Sequence, residues 1–323
     1  MRRSSRRGAL HALTTLAAAA ITLALAGDAG AWCRTTTSKS FTPTLAKPCD
    51  DAGLPLYWSS RCVGYDVQQG ASVQVDLATA RATMAKAFAA WSSVDCPADA
   101  VTCAATDVGQ GSPSIEAHDL GPVSCACAEY NQKGGNSNSI IFLDHGWFNC
   151  DGSPKTDADV TLALTTVTFN TDSGEIYDAD MEINSLPTNA KITTTDPPAQ
   201  VLYDLQSIVT HEAGHFLGLA HTQPTHPEAT MFARYSQGET AMRVPSRDDA
   251  CGICAAYPPK RVTVCDDQPR RGLTDVCGGD PPATGCHCEA PGAAGGGRGF
   301  GLAAIGALAA LVTGVIARRR RRG

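Results

Sequence analysis

Basic side chains are scarce in the body of the chain, and this scarcity excludes one large class of function. Nine of the 26 lysines and arginines lie in residues 1–31 and 299–323, but only one of the 32 acidic residues does. The body therefore holds 17 basic and 31 acidic residues, a net charge of about −14. A nucleic-acid partner is excluded on these grounds, because contacts to phosphates need clustered lysine and arginine.

Cysteine is absent from the first 31 residues, and all 14 cysteines lie beyond them. The pairs Cys251/Cys254, Cys125/Cys127 and Cys286/Cys288 have the close spacing of zinc ribbons, but no second pair lies at the distance that a ribbon requires. The alternative, a set of disulfides formed in an oxidising compartment, is favoured. Which cysteine pairs with which does not follow from the sequence.

The two basic ends have the composition of targeting segments. Residues 1–31 combine arginines, an apolar stretch and small residues at Ala29 and Ala31, which predicts a signal peptide cleaved near Ala31. A retained N-terminal anchor is the alternative, and the export route, general or twin-arginine, stays open. We expect the mature chain to be exported to the cell surface or the extracellular space.

The C-terminal end changes character twice. Residues 260–298 are rich in cysteine, glycine and proline, which predicts a linker or stalk. Residues 299–323 hold the apolar run FGLAAIGALAALVTGVIA, which predicts a transmembrane helix, followed by Arg318–Arg322, which would keep the C-terminus cytoplasmic. Membrane association is therefore expected through this segment.

Between these ends, residues 32–259 have no repeat or long low-complexity linker and are predicted to form one catalytic domain. Residues 75–91 have helical spacing of apolar residues, and 139–147 and 160–170 are β-rich, although a helix is not excluded for the latter. In residues 176–185 apolar residues alternate imperfectly with acidic ones, which suggests a strand near a sheet edge. A buried helix is predicted from a cap at Asp196 and Pro197 to Gly218, and a final short helix over residues 246–257.

The segment HEAGHFLGLAH, residues 211–221, carries the strongest chemical signal. On a helix His211 and His215 lie on one side and can bind one ion, and a turn at Gly218 would bring His221 back as a third ligand. Three protein ligands leave a position open for water, which marks a catalytic zinc site. Glu212 can then act as general base towards zinc-bound water, which predicts hydrolysis of a peptide bond.

This segment resembles the zinc-binding consensus of the metzincin metallopeptidases. Met231, ten residues after His221, resembles the Met-turn of that clan, and Tyr235 follows it as in matrixins. SRDDACGICAAYP resembles the C-terminal helix of matrixins, and the Trp91 helix and DADMEIN resemble the bacterial matrixin-like pattern. The resemblance spans roughly residues 50–259.

The resemblance implies an α/β (α+β) zincin-like fold with a twisted mixed β-sheet, an antiparallel edge strand, a central zinc-binding helix and a C-terminal helix. It implies zinc ligation by His211, His215 and His221, with Glu212 as general base, Met231 as the floor of the site and Gly218 and Tyr235 in support. It also implies an extended protein or peptide substrate on the edge strand, for which residues 176–185 are the candidate. No cysteine switch of the Pro-Arg-Cys-Gly type is found, so matrixin-style latency is not expected.

Other metal sites stay open. His118, His145 and His226 are candidates for a second, structural zinc, and Asp172, Asp178 and Asp180 for calcium, although solvated carboxylates are the simpler interpretation for these acids.

The tail resembles bacterial C-terminal sorting tails of the rhombosortase or myxosortase type, with processing by a sorting protease near Cys286 or Cys288; a permanent anchor is the alternative. For the whole chain, the alternative to an endopeptidase is a non-catalytic surface adhesion protein that keeps zinc for structure.

Overall fold

The computed structural model describes residues 32–38, 47, 49–50, 52–97, 103, 109–194 and 201–274, together with the backbone of 300–310. The predicted signal peptide, the stalk beyond residue 274 and residues 311–323 lie outside the described residues. So do Asp196 and Pro197.

Two strands precede the first helix of the described chain, and six consecutive strands separate it from the second. The helices are α1 Leu77–Ser92, α2 Leu205–Phe216 and α3 Arg247–Ala256. The strands are β1 Cys33–Arg34, β2 Cys62–Gln68, β3 Glu116–Val123, β4 Ser139–Phe142, β5 Thr161–Asn170, β6 Ile176–Ile183, β7 Ile192–Thr193, β8 Tyr203–Asp204, β9 Leu219–Ala220, β10 Arg234–Tyr235 and β11 Phe300–Ala310.

Seven strands form one mixed sheet in the order β10-β11-β5-β6-β4-β2-β3. Strands β2, β3, β4 and β6 pair in parallel, whereas β5 runs antiparallel to β6. Helices α1 and α2 pack together against one face, where Phe88 stacks on Tyr65 at 4.6 Å and meets Phe216 edge-on at 5.2 Å between ring centroids. This mixed sheet with few helices is compatible with the expected matrixin-type fold.

Helix α1 confirms the prediction for residues 75–91. Asp76 caps its N-terminus by accepting from the Thr79 amide at 3.0 Å. Met84, Phe88 and Trp91 are buried, as their spacing of four and three residues requires. The Trp91 indole donates to the carbonyl of Thr210 at 2.7 Å, and this bond fixes α1 against α2.

Helix α2 begins later than the sequence predicts. Residues 201–204 are not helical, and the cap is Asp204, whose side chain accepts from the Ser207 amide at 2.8 Å. The prediction of a helix running from a cap at Asp196 was therefore wrong over residues 201–204. Arg243 also binds the Asp204 carboxylate, at 2.6 Å and 2.8 Å, so a long-range ion pair favours this cap.

Strand β6 is internal, and the prediction that residues 176–185 lie at a sheet edge was wrong. It pairs with β5 on one side and β4 on the other, and all its residues are buried. Its alternation is imperfect because both faces are covered. Ala179, Met181 and Ile183 face the helices, whereas Asp178, Asp180 and Glu182 lie between them in sequence and point to the opposite face.

That opposite face buries further acids. Asp66 of β2 is 2% exposed and accepts from the Ser137 hydroxyl at 2.8 Å. Burial raises the pKa of Asp66 to about 6, against the opposing effect of the Ser137 hydrogen bond. The unfolded chain, with a carboxyl pKa of about 4, therefore ionises first as the pH rises, and folded stability falls between these two values.

We expect Asp66→Asn to gain stability relative to the parent chain as the pH rises. The gain in free energy of unfolding between pH 4 and pH 7 should be about 2–3 kcal/mol, since two pKa units correspond to about 2.7 kcal/mol. Denaturant unfolding at both pH values measures it. The control is Asp172→Asn, because Asp172 is exposed. A difference in free energy of unfolding between Asp66→Asn and the parent chain that does not change with pH would contradict the burial argument.

The apolar C-terminal run is a strand over the residues that the structure describes, and the helix predicted for 300–317 was wrong over 300–310. Strand β11 pairs antiparallel with β5 from Phe300↔Asn170 to Ala309↔Thr161. Pairing satisfies main-chain groups of both segments, which accounts for strand in a run of small residues that also suits a helix. Among the described residues, no helix has the length and apolar character needed to cross a membrane.

Disulfides account for the cysteines of the described domain, as the sequence favours. Cys251 and Cys254 bond to Cys103 and Cys96, not to each other, and Cys125 is also disulfide-bonded. Further pairs among the described residues are Cys33–Cys49, Cys62–Cys265 and Cys127–Cys150.

Candidate metal centre

Helix α2 and the turn after it bring the three histidines of the motif together. His211 and His215 lie one turn apart on α2, which ends at Phe216. Gly218 has a φ of +88°, and a Cβ there would lie 2.6 Å from the carbonyl oxygen of Leu56, so only glycine suits this reversal. Strand β9 then leads to His221.

The imidazole nitrogens of these histidines converge. One ring nitrogen from each of the three lies within 4.8 Å of the others. The Nε2 atoms of His211 and His215 are 3.2 Å apart. Zn–N bonds of about 2.0–2.1 Å at a tetrahedral angle separate two ligand nitrogens by about 3.3 Å, so this spacing fits a zinc ion.

Backbone carbonyls fix the ring orientations. His211 Nδ1 lies 2.6 Å from the Thr230 oxygen, and His215 Nδ1 lies 2.9 Å from the Leu219 oxygen. Because a carbonyl only accepts, both Nδ1 atoms carry the proton and both Nε2 atoms present lone pairs. Two facing lone pairs repel unless a cation lies between them. The buried Nε2 of His221 has no hydrogen-bond partner among the described residues, which again fits a metal.

Burial keeps all three imidazoles neutral. It lowers the pKa of His215 to about 4 and the pKa of His211 and His221 well below 6.5, and for the latter two the neighbouring histidines act in the same direction. Neutral imidazole is the form that binds a metal, so the site is competent for ligation at neutral pH.

Glu212 is fully buried beside this cluster. Its Oε2 accepts from the Thr165 hydroxyl of β5 at 2.6 Å, so the sheet holds the carboxylate in place. This contact of Thr165 was not predicted from the sequence, because a threonine within a run of Val, Leu and Thr indicates only a strand.

Met231 packs against helix α2, the helix that carries His211 and His215. It is 2% exposed, and a Cβ on Gly214 would lie 2.2 Å from its sulfur, so helix and Met231 approach as closely as glycine allows. The turn around it is held by Asp249 of α3, whose carboxylate accepts from the amides of Thr230 at 2.7 Å and Met231 at 3.0 Å. This function of Asp249 was not predicted from the sequence.

Asp248, which precedes Asp249 in helix α3, connects the chain's N-terminal part to the loop after His221. Its carboxylate accepts from the Trp32 amide at 3.1 Å and the Thr222 hydroxyl at 2.8 Å. The predicted supporting residue Tyr235 bonds to the backbone around it. Its hydroxyl donates to the Glu239 carbonyl at 2.6 Å and accepts from the Asp204 amide at 3.0 Å, so it connects the segments that contain these residues.

The other predicted metal sites are not assembled among the described residues. His118 binds Asp267 at 2.8 Å and His226 binds Glu228 at 3.1 Å, and no cluster of three potential ligands there includes two of the candidates His118, His145 and His226. Asp172 is exposed, but Asp178 and Asp180 are 2% exposed, so the interpretation of these two as solvated was wrong. Burial raises the pKa of both. Calcium and a second zinc thus stay unconfirmed.

Three neutral imidazoles beside a buried glutamate fit the donor set and base that a metallohydrolase centre requires. Residues 131–258, which include this centre, match the family model of the matrixins. The match supports a matrixin-like metallopeptidase over this part of the chain and implies zinc as its metal.

Proposed function

We propose that the chain is a zinc-dependent endopeptidase that hydrolyses proteins or peptides at the His211, His215 and His221 centre. The observation that carries the proposal is the convergence of three neutral imidazoles next to a buried carboxylate held from the sheet. A purely structural zinc site has no use for that carboxylate, which argues against the alternative of a non-catalytic surface adhesion protein.

Each residue has a separate task. A zinc ion held by the three histidines would supply a Lewis acid for the substrate carbonyl and would make an attacking water more acidic. Glu212 takes one proton from that water and transfers it to the leaving amine nitrogen as the C–N bond breaks. Thr165 holds one carboxylate oxygen through this transfer, and Met231 packs below the helix that carries the base.

The substrate strand is assigned to β5 in place of residues 176–185. The expected antiparallel edge strand is not at an edge here, because β11 pairs with the outer side of β5. Strand β5 carries Thr165, which contacts Glu212, and it is the antiparallel strand of the sheet. An extended peptide would pair with the main chain of this strand, with side-chain pockets setting the sequence preference.

Metal dependence tests the proposal directly. We expect the protein to cleave a denatured protein substrate, to lose this activity with a chelator and to regain it when zinc is restored. Zinc content by atomic spectroscopy should follow activity at one ion per chain. A protein that binds zinc at this site but cleaves no substrate would favour the adhesion alternative.

Thr165→Val is expected to lower kcat by about 10-fold or more with KM and zinc content unchanged, since partners of a catalytic group typically contribute 10–100-fold. Thr165→Ser keeps the hydroxyl and should restore the rate. Thr168→Val is the matched control, because Thr168 is a buried threonine of β5 whose hydroxyl has no partner in the described structure. Equal kcat for Thr165→Val and the parent chain would exclude a positioning function.

We further propose export and surface display. The N-terminal pattern and the disulfides, which form in oxidising compartments, support it. Mass spectrometry of the surface form should find a C-terminus near residues 286–298 if a sorting protease removes the tail, whereas an intact Arg318–Arg322 end would indicate a permanent anchor.

A further inference from the structure

Strand β11 lies between the two elements that border the candidate centre. It runs antiparallel to β5, from Phe300↔Asn170 to Ala309↔Thr161. Its end pairs in parallel with β10, through Arg234↔Ala309 and Tyr235↔Ala310. Strand β10 follows Met231 closely in sequence, and β11 also contacts α2. A segment in this place therefore passes along the helix that carries His211, Glu212 and His215.

The register of β11 breaks at the point nearest the base. Ala304 pairs with Thr166 and Ala307 with Leu164, so residues 305–306 lie opposite Thr165. Thr165 is the residue whose side chain contacts Glu212. The main chain of the tail thus departs from regular pairing next to the catalytic glutamate candidate.

The helical part of the centre is buried in this arrangement. His211, Glu212 and His215 have no exposed surface, whereas His221 is partly exposed. A peptidase must admit its substrate to this place, and the main-chain groups of β5 that a substrate would use already pair with β11.

From this geometry we propose that the chain's own residues 300–310 are the resident ligand of the substrate cleft, and that an external peptide must displace them. This inference rests on the proposed function for the meaning of the cleft. It names the ligand class that the cleft accepts: an extended, uncharged segment of small and aliphatic residues that binds mainly through its backbone. Removal of the tail, whether by processing or by transfer into a membrane, would open the centre.

A double proline variant tests the pairing in the full chain. Successive amides of a strand point to opposite edges, so one of the amides of Ala303 and Ala304 faces β5. Replacing both residues by proline removes that amide in either case. Ala303→Ser with Ala304→Ser keeps both amides and is the matched control. A chain ending at residue 299 serves as a second variant that removes the segment without proline.

Hydrogen exchange is measured in the Glu212→Gln background, so that self-cleavage cannot remove the segment. We expect the amides of β5 to exchange at least about tenfold faster in the proline variant and in the shortened chain than in the serine control. With Glu212 present, cleavage of a peptide substrate should rise about tenfold or more in the same two chains. The reason is that a larger fraction of the molecules has a cleft free to bind substrate.

The outcomes separate this inference from the proposed function. Unchanged β5 exchange would overturn it, whatever the activity. Faster exchange with active chains whose cleavage rates are equal would also overturn it, because the segment would then not control access. Faster exchange without cleavage in any chain would leave the resident segment supported and would count against the endopeptidase itself.

Discussion

Glu212→Gln is expected to abolish peptide cleavage, with a loss of about 10³-fold or more, while zinc stays bound. Glutamine has nearly the shape of glutamate, and its amide oxygen can still accept the Thr165 hydrogen bond that the carboxylate accepts at 2.6 Å. It cannot take up a proton from water or return one to the leaving amine. General acid–base groups contribute about 10²–10⁴-fold, and here one residue performs both transfers.

The measurement pairs kcat/KM on a peptide substrate with zinc content and thermal unfolding. Because a fully buried ionisable group is replaced by a neutral amide of nearly the same shape, the unfolding temperature should stay the same or rise. Residual cleavage close to that of the parent chain, with chelator sensitivity retained, would exclude Glu212 as the base. Loss of zinc together with activity would instead indicate that Glu212 supports the metal.

Asp249→Ala is expected to have the largest effect on stability, about 3–5 kcal/mol in the free energy of unfolding. Its carboxylate accepts from three amides, those of Thr230, Met231 and Ser246, and it is 1% exposed. Alanine would leave these amides without that acceptor, and each buried unsatisfied group costs about 1–3 kcal/mol. Burial raises the pKa of Asp249, and these hydrogen bonds act in the opposite direction.

The same change should weaken zinc binding by about 10–100-fold, because the Thr230 carbonyl orients His211. Denaturant unfolding and competition with a chelator measure the two effects. Ser246→Ala is the control, since it removes the reciprocal hydrogen bond of the helix cap and leaves the Met231 turn intact; it should cost only about 1 kcal/mol. If zinc affinity falls equally in both variants, the effect comes from the cap and not from the turn.

Local spacing was sufficient to predict from the sequence that the three histidines converge. The four-residue interval of His211 and His215 and the glycine at 218 determine which side chains can meet. Helix α1 was predicted for the same reason, because a cap and a regular apolar face lie within one short segment. Thr165 and Asp249 depend on which strand or helix lies beside α2, and that is a property of the assembled sheet.

The errors have the same origin. The start of α2 was misplaced because Asp196-Pro197 is a good local cap, whereas Asp204 is selected by Arg243, 39 residues away. Strand β6 was placed at an edge because its acids suggest water, but its second face is covered. Residues 300–310 are compatible with a helix by composition, and their pairing with β5, about 140 residues away, determines the strand.

The cysteine pairs impose an order on the maturation of this domain. Cys33–Cys49 and Cys127–Cys150 join residues 16 and 23 positions apart and can close while the chain is still being made. The other three pairs cannot form until the C-terminal part of the domain has been made. They are Cys62–Cys265, Cys96–Cys254 and Cys103–Cys251, at separations of 203, 158 and 148 residues. A nascent chain therefore carries at least these three thiols without their final partners until nearly the whole domain has emerged, and a product truncated before residue 251 lacks all three long-range disulfides.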